Sequence, residues 1–168
     1  AFHLGYMLGP RVNAGGRVGE ASLGTRLLSS DDPDEAAVLA MRLNEYNADR
    51  KDIEAAVLID AIEQAETEPD PNASMVFVSG ANWHPGVIGI VASRLRERYD
   101  LPACVVACDG GMAKGSGRSV PGVDLGRAIL DARDAGLLFN GGGHAMAAGF
   151  TVEQDRLGAF QTFLDEHV

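Results

Sequence analysis

Residues 75–108, MVFVSGANWHPGVIGIVASRLRERYDLPACVVAC, decide the fold class of this chain. They contain two short apolar runs, MVFVS at 75–79 and ACVVAC at 103–108, whose length and composition are typical of buried strands. Between these runs, residues 85–99 carry apolar side chains at helical spacing, at Val87, Ile88, Val91, Ala92 and Leu95. A strand, a helix and a second strand in this order predict an α/β fold.

The residues that follow continue the alternation of strands and helices. Asp109-Gly110-Gly111 is a hairpin signal, and Gly136 marks the end of a later helix. The predicted elements are a strand at 112–120, a helix at 124–135, a strand at 147–152 and a closing helix at 154–167. A glycine-rich loop is expected before the last strand. The predicted fold class is therefore α/β, with a mixed β-sheet flanked by helices.

An acidic segment upstream predicts one long helix. Ser30, Asp31 and Asp32 offer capping side chains, and Pro33 suits the first helical turn. No Gly or Pro occurs between Pro33 and Pro69, so the helix would hold about 34 residues and be about 50 Å long. This length favours a connector between two bodies, although an amphipathic helix on a single core is the alternative. Its apolar positions are Leu39, Leu43, Tyr46, Ile53, Val57 and Ala61, with Arg50 interrupting them.

Residues 1–30 have the pattern of the end of another unit. A glycine-punctuated loop is expected there, followed by a short helix near residues 20–29. The predicted organisation is residues 1–30 as the end of one domain, 31–68 as the connector helix and 69–168 as the α/β domain. Because the chain starts at Ala1 rather than at an initiator Met, we expect it to be a piece of a longer protein.

Composition and charge limit the classes of function. The chain has 168 residues, is 46% apolar and carries a net charge of −10, which excludes a disordered acidic tail. It lacks both a membrane-spanning apolar run and the layout of a signal peptide, so we expect a cytoplasmic protein with no membrane partner. The acidity is concentrated at residues 31–74, with a net charge of −10, whereas residues 75–168 carry only −2. Basic groups outside the acidic segment could therefore contact phosphates.

Three glycine-associated segments place polar side chains beside flexible backbone. They are residues 8–17 with Arg11, Asn13 and Arg17, residues 115–119 with Ser116, Arg118 and Ser119, and residues 140–150 with Gly141, Gly142, Gly143 and His144. Arginine binds phosphate through a planar fork of donors, and successive glycine amides can converge on an anion. Each segment also has a purely structural interpretation, as a surface loop, a close packing contact or a tight turn.

A fourth candidate is NWHPG at residues 82–86, between a strand and a helix. Trp83 and His84 could stack on a base or bind an anion at the helix N-terminus, but Trp83 could equally anchor the core. No set of His, Cys, Asp and Glu residues has the spacing of a metal site, and no motif places a nucleophile. These features favour a chain that binds a phosphorylated ligand without cutting it.

Taken together, LGPRVNAGGR, WHPGVIGIVASRL, GSGRS and GGGHAMAAGFT resemble the RecJ-type single-stranded-DNA exonucleases of the DHH phosphoesterase superfamily, in the right order and over nearly the whole chain. The resemblance implies a C-terminal part of the nuclease core, with the end of a DHH domain, a long helix and a DHHA1 domain. It implies a metal-dependent exodeoxyribonuclease that degrades single-stranded DNA from the 5′ end, with Mn or Mg held by the upstream DHH domain, which acts in cis. This fragment alone is expected to hold no metal and to be inactive.

The resemblance also implies roles for individual residues. Arg118 with Ser116 and Ser119 would contact substrate phosphates, and Gly141–Gly143 with His144 would hold the nucleotide, His144 in support of catalysis. Arg11, Asn13 and Arg17 would line the same cleft from the other side, and Trp83 and His84 would border it. Gly15 stands where many relatives have Ala, which is a small departure from the family pattern.

Two alternative functions remain open at the level of sequence. The parent could be an oligonucleotide or cyclic-dinucleotide phosphodiesterase, because the GGGH and Arg motifs suit both substrates. The chain could instead be a non-enzymatic interaction module that uses its acidic helix as the partner surface. No pattern in the sequence specifies an oligomeric state.

Overall fold

The computed structural model of the chain describes residues 1–67 and 73–168. The predicted break at 69–72 and the last position of the predicted connector, residue 68, lie outside the described residues. The chain divides into two compact units, residues 1–55 and 56–168, and each contains an apolar core of its own.

The first unit begins with short helical segments. A π-helical turn covers His3–Leu8, followed by α1 (Gly9–Val12), α2 (Gly15–Val18) and α3 (Ser22–Ser29). The expectation of an irregular loop before residue 20 is therefore wrong. Main-chain hydrogen bonds, such as the one from Asn13 N to Gly9 O at 3.0 Å, wind these residues into turns despite their glycines.

Helix α4 spans Pro33–Thr67 and begins at a side-chain cap. Asp32 Oδ1 accepts hydrogen bonds from the amides of Asp34 (2.9 Å) and Glu35 (3.3 Å). This arrangement satisfies amides that have no partner within the helix, as the capping pattern predicts. The buried apolar positions of α4 are Leu39, Leu43, Val57 and Ala61.

Arg50, which interrupts the apolar pattern of α4, is buried in the structure. Its guanidinium donates a hydrogen bond to Asn47 Oδ1 at 3.2 Å and forms an ion pair with Glu54, one turn further along. A buried charge is tolerated only when it is paired, so Glu54 explains how arginine can occupy this position.

The second unit is built on a five-stranded sheet of order β1-β2-β3-β5-β4. Its strands are β1 (Val76–Ala81), β2 (Ala103–Asp109), β3 (Met112–Arg118), β4 (Asn140–His144) and β5 (Ala147–Glu153). β1 and β2 pair in parallel, and all other neighbours pair antiparallel. The predicted mixed sheet is confirmed.

Three helices flank this sheet, namely α5 (Ile88–Tyr99), α6 (Leu125–Asp134) and α7 (Leu157–His167). A single 3₁₀ turn, Gln154–Arg156, precedes α7. The main core lies between one face of the sheet and helices α6 and α7, where Phe150, Ile129 and Phe160 are buried together. On the opposite face, α5 packs against β1, β2 and β3.

The β2–β3 hairpin and the end of α6 follow the predicted turn chemistry. Gly110 and Gly111 both have positive φ, as a two-residue hairpin turn requires. Gly136, directly after the cap of α6, also has a positive φ of 76° and ends that helix. Within the described ranges, no helix is both long and apolar enough to span a bilayer.

The glycine-rich segment before β5 differs from its prediction. Asn140–His144 forms edge strand β4 instead of a loop, and it joins β5 through the two-residue turn Ala145–Met146. Pairing with β5 and packing against α6 hold the segment extended, although glycine has a low preference for strands.

Candidate nucleic-acid interface

An open surface lies where β3, β5 and β4 run side by side, on the face opposite the main core. Residues paired across antiparallel strands direct their side chains to the same face, so the register defines three rows across these strands. Successive rows are about 7 Å apart, because they lie two residues apart along a strand. The rows are Arg118–Ala147–His144, Ser116–Gly149–Gly142 and Lys114–Thr151–Asn140. We call this surface the open face.

The middle row of the open face is bare backbone on two of its three strands. A Cβ added at Gly142 would have no heavy atom within 4 Å, and one added at Gly149 would have only Gly115 O, at 3.9 Å. The floor between the two outer rows is therefore flat and accessible, so a ligand can approach the main chain directly.

Arg118 and Ser116 are held together beside the first turn of α5. Arg118 Nη1 donates to Ser116 Oγ at 3.1 Å and to the carbonyl oxygen of Gly117 at 2.8 Å. A Cβ at Gly89 would lie 3.0 Å from both Arg118 Nη2 and Ser116 Oγ. The absence of a side chain at Gly89 therefore leaves room for the guanidinium and the hydroxyl at the edge of the open face.

Ser119, directly after β3, has only 1% of its surface exposed. Its hydroxyl donates to Val123 O at 2.8 Å, and its amide donates to Met146 O at 2.9 Å. Both polar hydrogens of Ser119 are thus used inside the protein. Ser119 supports the turn that joins β4 to β5, whereas Ser116 and Arg118 border the open face itself.

The three glycines of β4 do not form the converging cluster of amides considered from the sequence. In an extended strand, successive peptide groups point in opposite directions. Gly141 is packed tightly, since a Cβ there would lie 2.8 Å from Ile129 Cγ2, and one at Gly143 would meet the backbone of Ala148 at 2.6 Å. Gly142, between them, lies on the open face.

His144 is exposed at the end of β4 and belongs to the same row as Arg118. Its Nδ1 accepts a hydrogen bond from Met146 N at 3.3 Å, which leaves Nε2 at the outer side of the ring. The turn is anchored to α6, because Leu125 N donates to Ala145 O at 3.2 Å. The backbone of His144 is held close to Gly126, where an added Cβ would lie 2.8 Å from the His144 carbonyl carbon.

Trp83 is a core anchor in this structure. Its side chain is buried, its ring lies over Gly80 of β1, and Nε1 donates to Asp60 Oδ2 of α4 at 2.7 Å. His84 is half-buried, and its Nδ1 accepts a hydrogen bond from Gly86 N at 3.0 Å. Trp83 therefore anchors the core, as the second interpretation of the sequence proposed. Both residues organise the segment that leads into α5.

The remaining predicted residues belong to the first unit. Arg11 is half-buried and donates through Nε to Asn44 Oδ1 of α4 at 3.0 Å. Asn13 is exposed at the C-terminal cap of α1, and Arg17 is exposed in the last turn of α2. The structure brings Arg11 to α4 but leaves Asn13 and Arg17 on the surface of this unit.

Several residues of the open face were missed by reasoning from sequence. Lys114, Thr151 and Asn140 form its third row, and Gly89 makes room at its edge. The sequence did contain one signal for Lys114. Side chains two residues apart along a strand point to the same face, so Lys114 shares a face with Ser116 and Arg118. That signal could not reveal the register that adds Thr151 and Asn140.

Comparison with known proteins now identifies the family. A family model of the DHHA1 domain matches residues 72–168. The single-stranded-DNA-specific exonuclease RecJ of Escherichia coli strain K12 is 41% identical over 174 residues, covering 100% of this chain and 30% of the relative. The chain belongs to the DHHA1 domain family and is similar to RecJ along its whole length. It spans less than a third of the length of this relative.

Solved RecJ structures agree with this assignment. RecJ of Thermus thermophilus in complex with Mg²⁺ has a TM-score of 0.86 and 36% identity, covering 98% of this chain and 25% of that one. The same protein in complex with Mn²⁺ gives a TM-score of 0.85 at 36% identity, covering 98% of this chain and 24% of that one. The predicted family and the DHHA1-like fold are therefore confirmed.

The RecJ structures contain Mg²⁺ or Mn²⁺, so side chains that could bind a metal ion matter in this chain as well. Across residues 1–67 and 73–168, no three His, Cys, Asp or Glu side chains come together in a way that could hold a metal ion. The described residues therefore do not fit a metal centre, and we derive no chemical step through one.

Proposed function

We propose that this chain is the strand-binding part of a RecJ-type exonuclease and that its open face holds single-stranded DNA. The observation that carries the proposal is the placement of Arg118 and Ser116 beside a flat glycine floor, with His144 in the same row as Arg118. Arginine and hydroxyl donors suit phosphate oxygens, and a floor without side chains lets a nucleotide approach the backbone.

The proposed roles follow from these positions. Arg118 and Ser116 bind a backbone phosphate, and His144 donates a hydrogen bond from Nε2 to the nucleotide near the scissile bond. Gly142 contributes the floor, and Gly141 and Gly143 permit the packing that keeps β4 straight. Ser119, Trp83 and His84 position these groups from within the fold.

The longer protein supplies the rest of the site in this proposal. We assign residues 1–30 to the end of a DHH domain, 31–68 to a connector helix and 69–168 to the DHHA1 domain. Arg11, Asn13 and Arg17 would then contribute substrate contacts from the DHH domain. Mg²⁺ or Mn²⁺ held by the DHH domain would supply the hydrolytic chemistry. The substrate would be degraded from 5′ to 3′, in the cytoplasm.

The two alternative functions have less support than the exonuclease. RecJ exonucleases match the chain over its full length at 41% identity in Escherichia coli and over 97% of it at 38% identity in Bacillus subtilis. A pGpG-specific phosphodiesterase shares only 12% identity, at a TM-score of 0.51, which is a likeness of fold. An interaction module would not require the arrangement of Arg118, Ser116 and Gly89.

Binding of fluorescein-labelled oligothymidylate, measured by anisotropy at low ionic strength, tests this proposal. Arg118→Gln should weaken binding about tenfold or more, because hydrogen bonds to a charged partner are worth about 1.5–3 kcal/mol. Arg133→Gln is the matched control, since Arg133 pairs with Asp134 on the surface of α6 and should change binding less than about twofold. Equal affinities for the two variants would contradict the proposal.

A further inference from the structure

The third row of the open face, Lys114–Thr151–Asn140, is a second polar row that no predicted site residue occupies. Lys114 pairs with Thr151, and Thr151 pairs with Asn140, so the three side chains line up across β3, β5 and β4. The row runs parallel to Arg118–Ala147–His144 at a separation of about 13 Å, which is four residues of strand. The middle row, Ser116–Gly149–Gly142, lies between these two rows.

The side chains of this third row have no partners within the described part of the protein. Lys114, Thr151 and Asn140 make no side-chain hydrogen bond or ion pair there, and Lys114 and Asn140 are exposed. Six arginine side chains of residues 73–168 form ion pairs with carboxylates. These side chains are Arg94, Arg96, Arg98, Arg127, Arg133 and Arg156. Lys114 is therefore a cation that the fold itself does not use.

A shallow concavity lies directly against this row. It is lined by Asn140, Thr151, Gly142 and Gly149, with Gly141 and Phe150 completing it. Its floor is part of the middle row, which separates the two polar rows. The concavity therefore connects Asn140 and Thr151 to the surface on which Arg118 and Ser116 lie.

The nearest acidic side chain along β5 does not cancel the charge of Lys114. Glu153 pairs with Met112 in the next row, and its carboxylate forms an ion pair with Arg156 at 3.1 Å. On β2, the residue opposite Lys114 is Ala107, which is buried and uncharged. On the same face, Asp109 of β2 also pairs with Met112, so two carboxylates lie one row away and Lys114 is the charged member of the third row itself.

We propose that Lys114, Thr151 and Asn140 form a second subsite for the same DNA strand, in which Lys114 binds a backbone phosphate and Thr151 and Asn140 hydrogen-bond the neighbouring sugar or base. This inference rests on the proposed function, because it assumes that Arg118 and Ser116 bind the first phosphate. The strand then runs along β3 across the glycine floor, and it must be long enough to reach from one polar row to the other.

The subsite predicts a dependence on ligand length. A thymidine mononucleotide engages only the Arg118 row, whereas a longer oligothymidylate engages both rows. Binding of the longer ligand should therefore be more sensitive to salt, since each phosphate contact contributes about 0.7 to the slope of log K against log salt for single strands.

The test is a titration of the ¹⁵N-labelled chain with each ligand, followed by NMR and repeated at several salt concentrations. Lys114→Gln should weaken oligothymidylate binding about fivefold, lower the salt slope by about 0.7 and leave mononucleotide binding unchanged. In the unsubstituted chain, the amides of Thr151 and Asn140 should shift with the oligonucleotide and stay in place with the mononucleotide. Lys51→Gln is the matched control, because Lys51 is the other lysine of the chain and lies exposed on α4.

The outcomes separate this inference from the proposed function. If Arg118→Gln weakens binding but Lys114→Gln behaves like Lys51→Gln, the second subsite is refuted and the proposed function stands. If neither Arg118→Gln nor Lys114→Gln has an effect, or if no amide on the open face shifts, both fail. Equal losses for Lys114→Gln and Lys51→Gln would reflect net charge alone and would also refute the subsite.

Discussion

At the scale of single residues, glycine acts in this protein mainly by leaving room. A side chain at Gly80 would occupy the ring of Trp83, and one at Gly126 would meet the backbone of His144. Gly89 is different, because the atoms it accommodates are the polar ends of Arg118 and Ser116 on the open face. Its substitution should therefore affect ligand binding more than folding.

We expect Gly89→Ala to weaken binding of single-stranded DNA about threefold to tenfold, because the added methyl displaces the two donors and costs part of a charge-assisted hydrogen bond. The helix itself should be as stable as before or more stable, since Ala is favoured over Gly in helices by up to about 1 kcal/mol. Anisotropy measures the affinity, and thermal unfolding measures the stability.

Gly158→Ala is the control for this substitution. Gly158 is the second residue of α7, as Gly89 is of α5, and a Cβ there would meet open space. It should change stability in the same direction without changing affinity. Unaltered DNA binding by Gly89→Ala would show that the position of Arg118 does not depend on this gap.

At the scale of secondary-structure elements, the last turns of α4 cover the free edge of β1. Gln64 Nε2 donates to Ser79 O at 3.0 Å, and Gln64 Oε1 accepts from Ser79 N at 2.7 Å. One side-chain amide thus satisfies both backbone groups of an edge residue, as a neighbouring strand would. Exposed edges invite pairing with other chains, so this contact protects β1.

A second contact attaches the same part of α4 to α5. Glu66 accepts hydrogen bonds from Arg98 at 2.8 Å and from the hydroxyl of Tyr99 at 3.1 Å. The hydrogen bond from Arg98 lowers the pKa of the Glu66 carboxyl. Because the charged form is favoured in the folded state, the contribution of this contact is present above the unfolded pKa and is lost as pH falls through the folded value.

We expect Gln64→Ala to lower the free energy of unfolding by about 1 kcal/mol and to promote self-association through β1. Gln64→Glu keeps the acceptor for Ser79 N but loses the donor for Ser79 O, so its effect should be intermediate. Thermal unfolding and sedimentation velocity provide the two measurements. Gln161→Ala, at an exposed position on α7, is the control, and an equal change in that variant would refute edge protection.

The elements differ in how far local sequence could predict them. The turn between strands β2 and β3 and the end of helix α6 are both marked in the local sequence by glycines, which have positive φ in the structure. Strand β4 carries no such local marker, because glycine has a low preference for strands. The segment is extended only through its pairing with β5 and its packing on α6.

At the scale of the whole molecule, binding and hydrolysis are separable in our proposal. We propose that the open face supplies donors for a DNA strand, whereas the described residues bring no three metal-ligating side chains together. The chain spans only 30% of the Escherichia coli relative, and we propose that the hydrolytic groups belong to the remainder of the longer protein.

We therefore expect the purified 168-residue chain to leave a labelled single-stranded oligonucleotide intact in Mg²⁺ or Mn²⁺ while still binding it. Gel electrophoresis of the oligonucleotide measures hydrolysis, with a full-length RecJ relative as the positive control. Shortening that depends on the divalent ion, and that persists through further purification of the chain, would contradict this separation.

The α/β class, the long capped helix and the family could be predicted from the amino-acid sequence, because these depend on residues close together in the chain. The sequence also identified Arg118, Ser116 and His144 as candidates through their motifs. The three-dimensional fold was needed to show that Ser119 and Trp83 face inward and that Lys114, Thr151 and Asn140 form one row. The reason is physical: a row across a sheet depends on the register between strands that are distant in sequence, and no local pattern encodes that register.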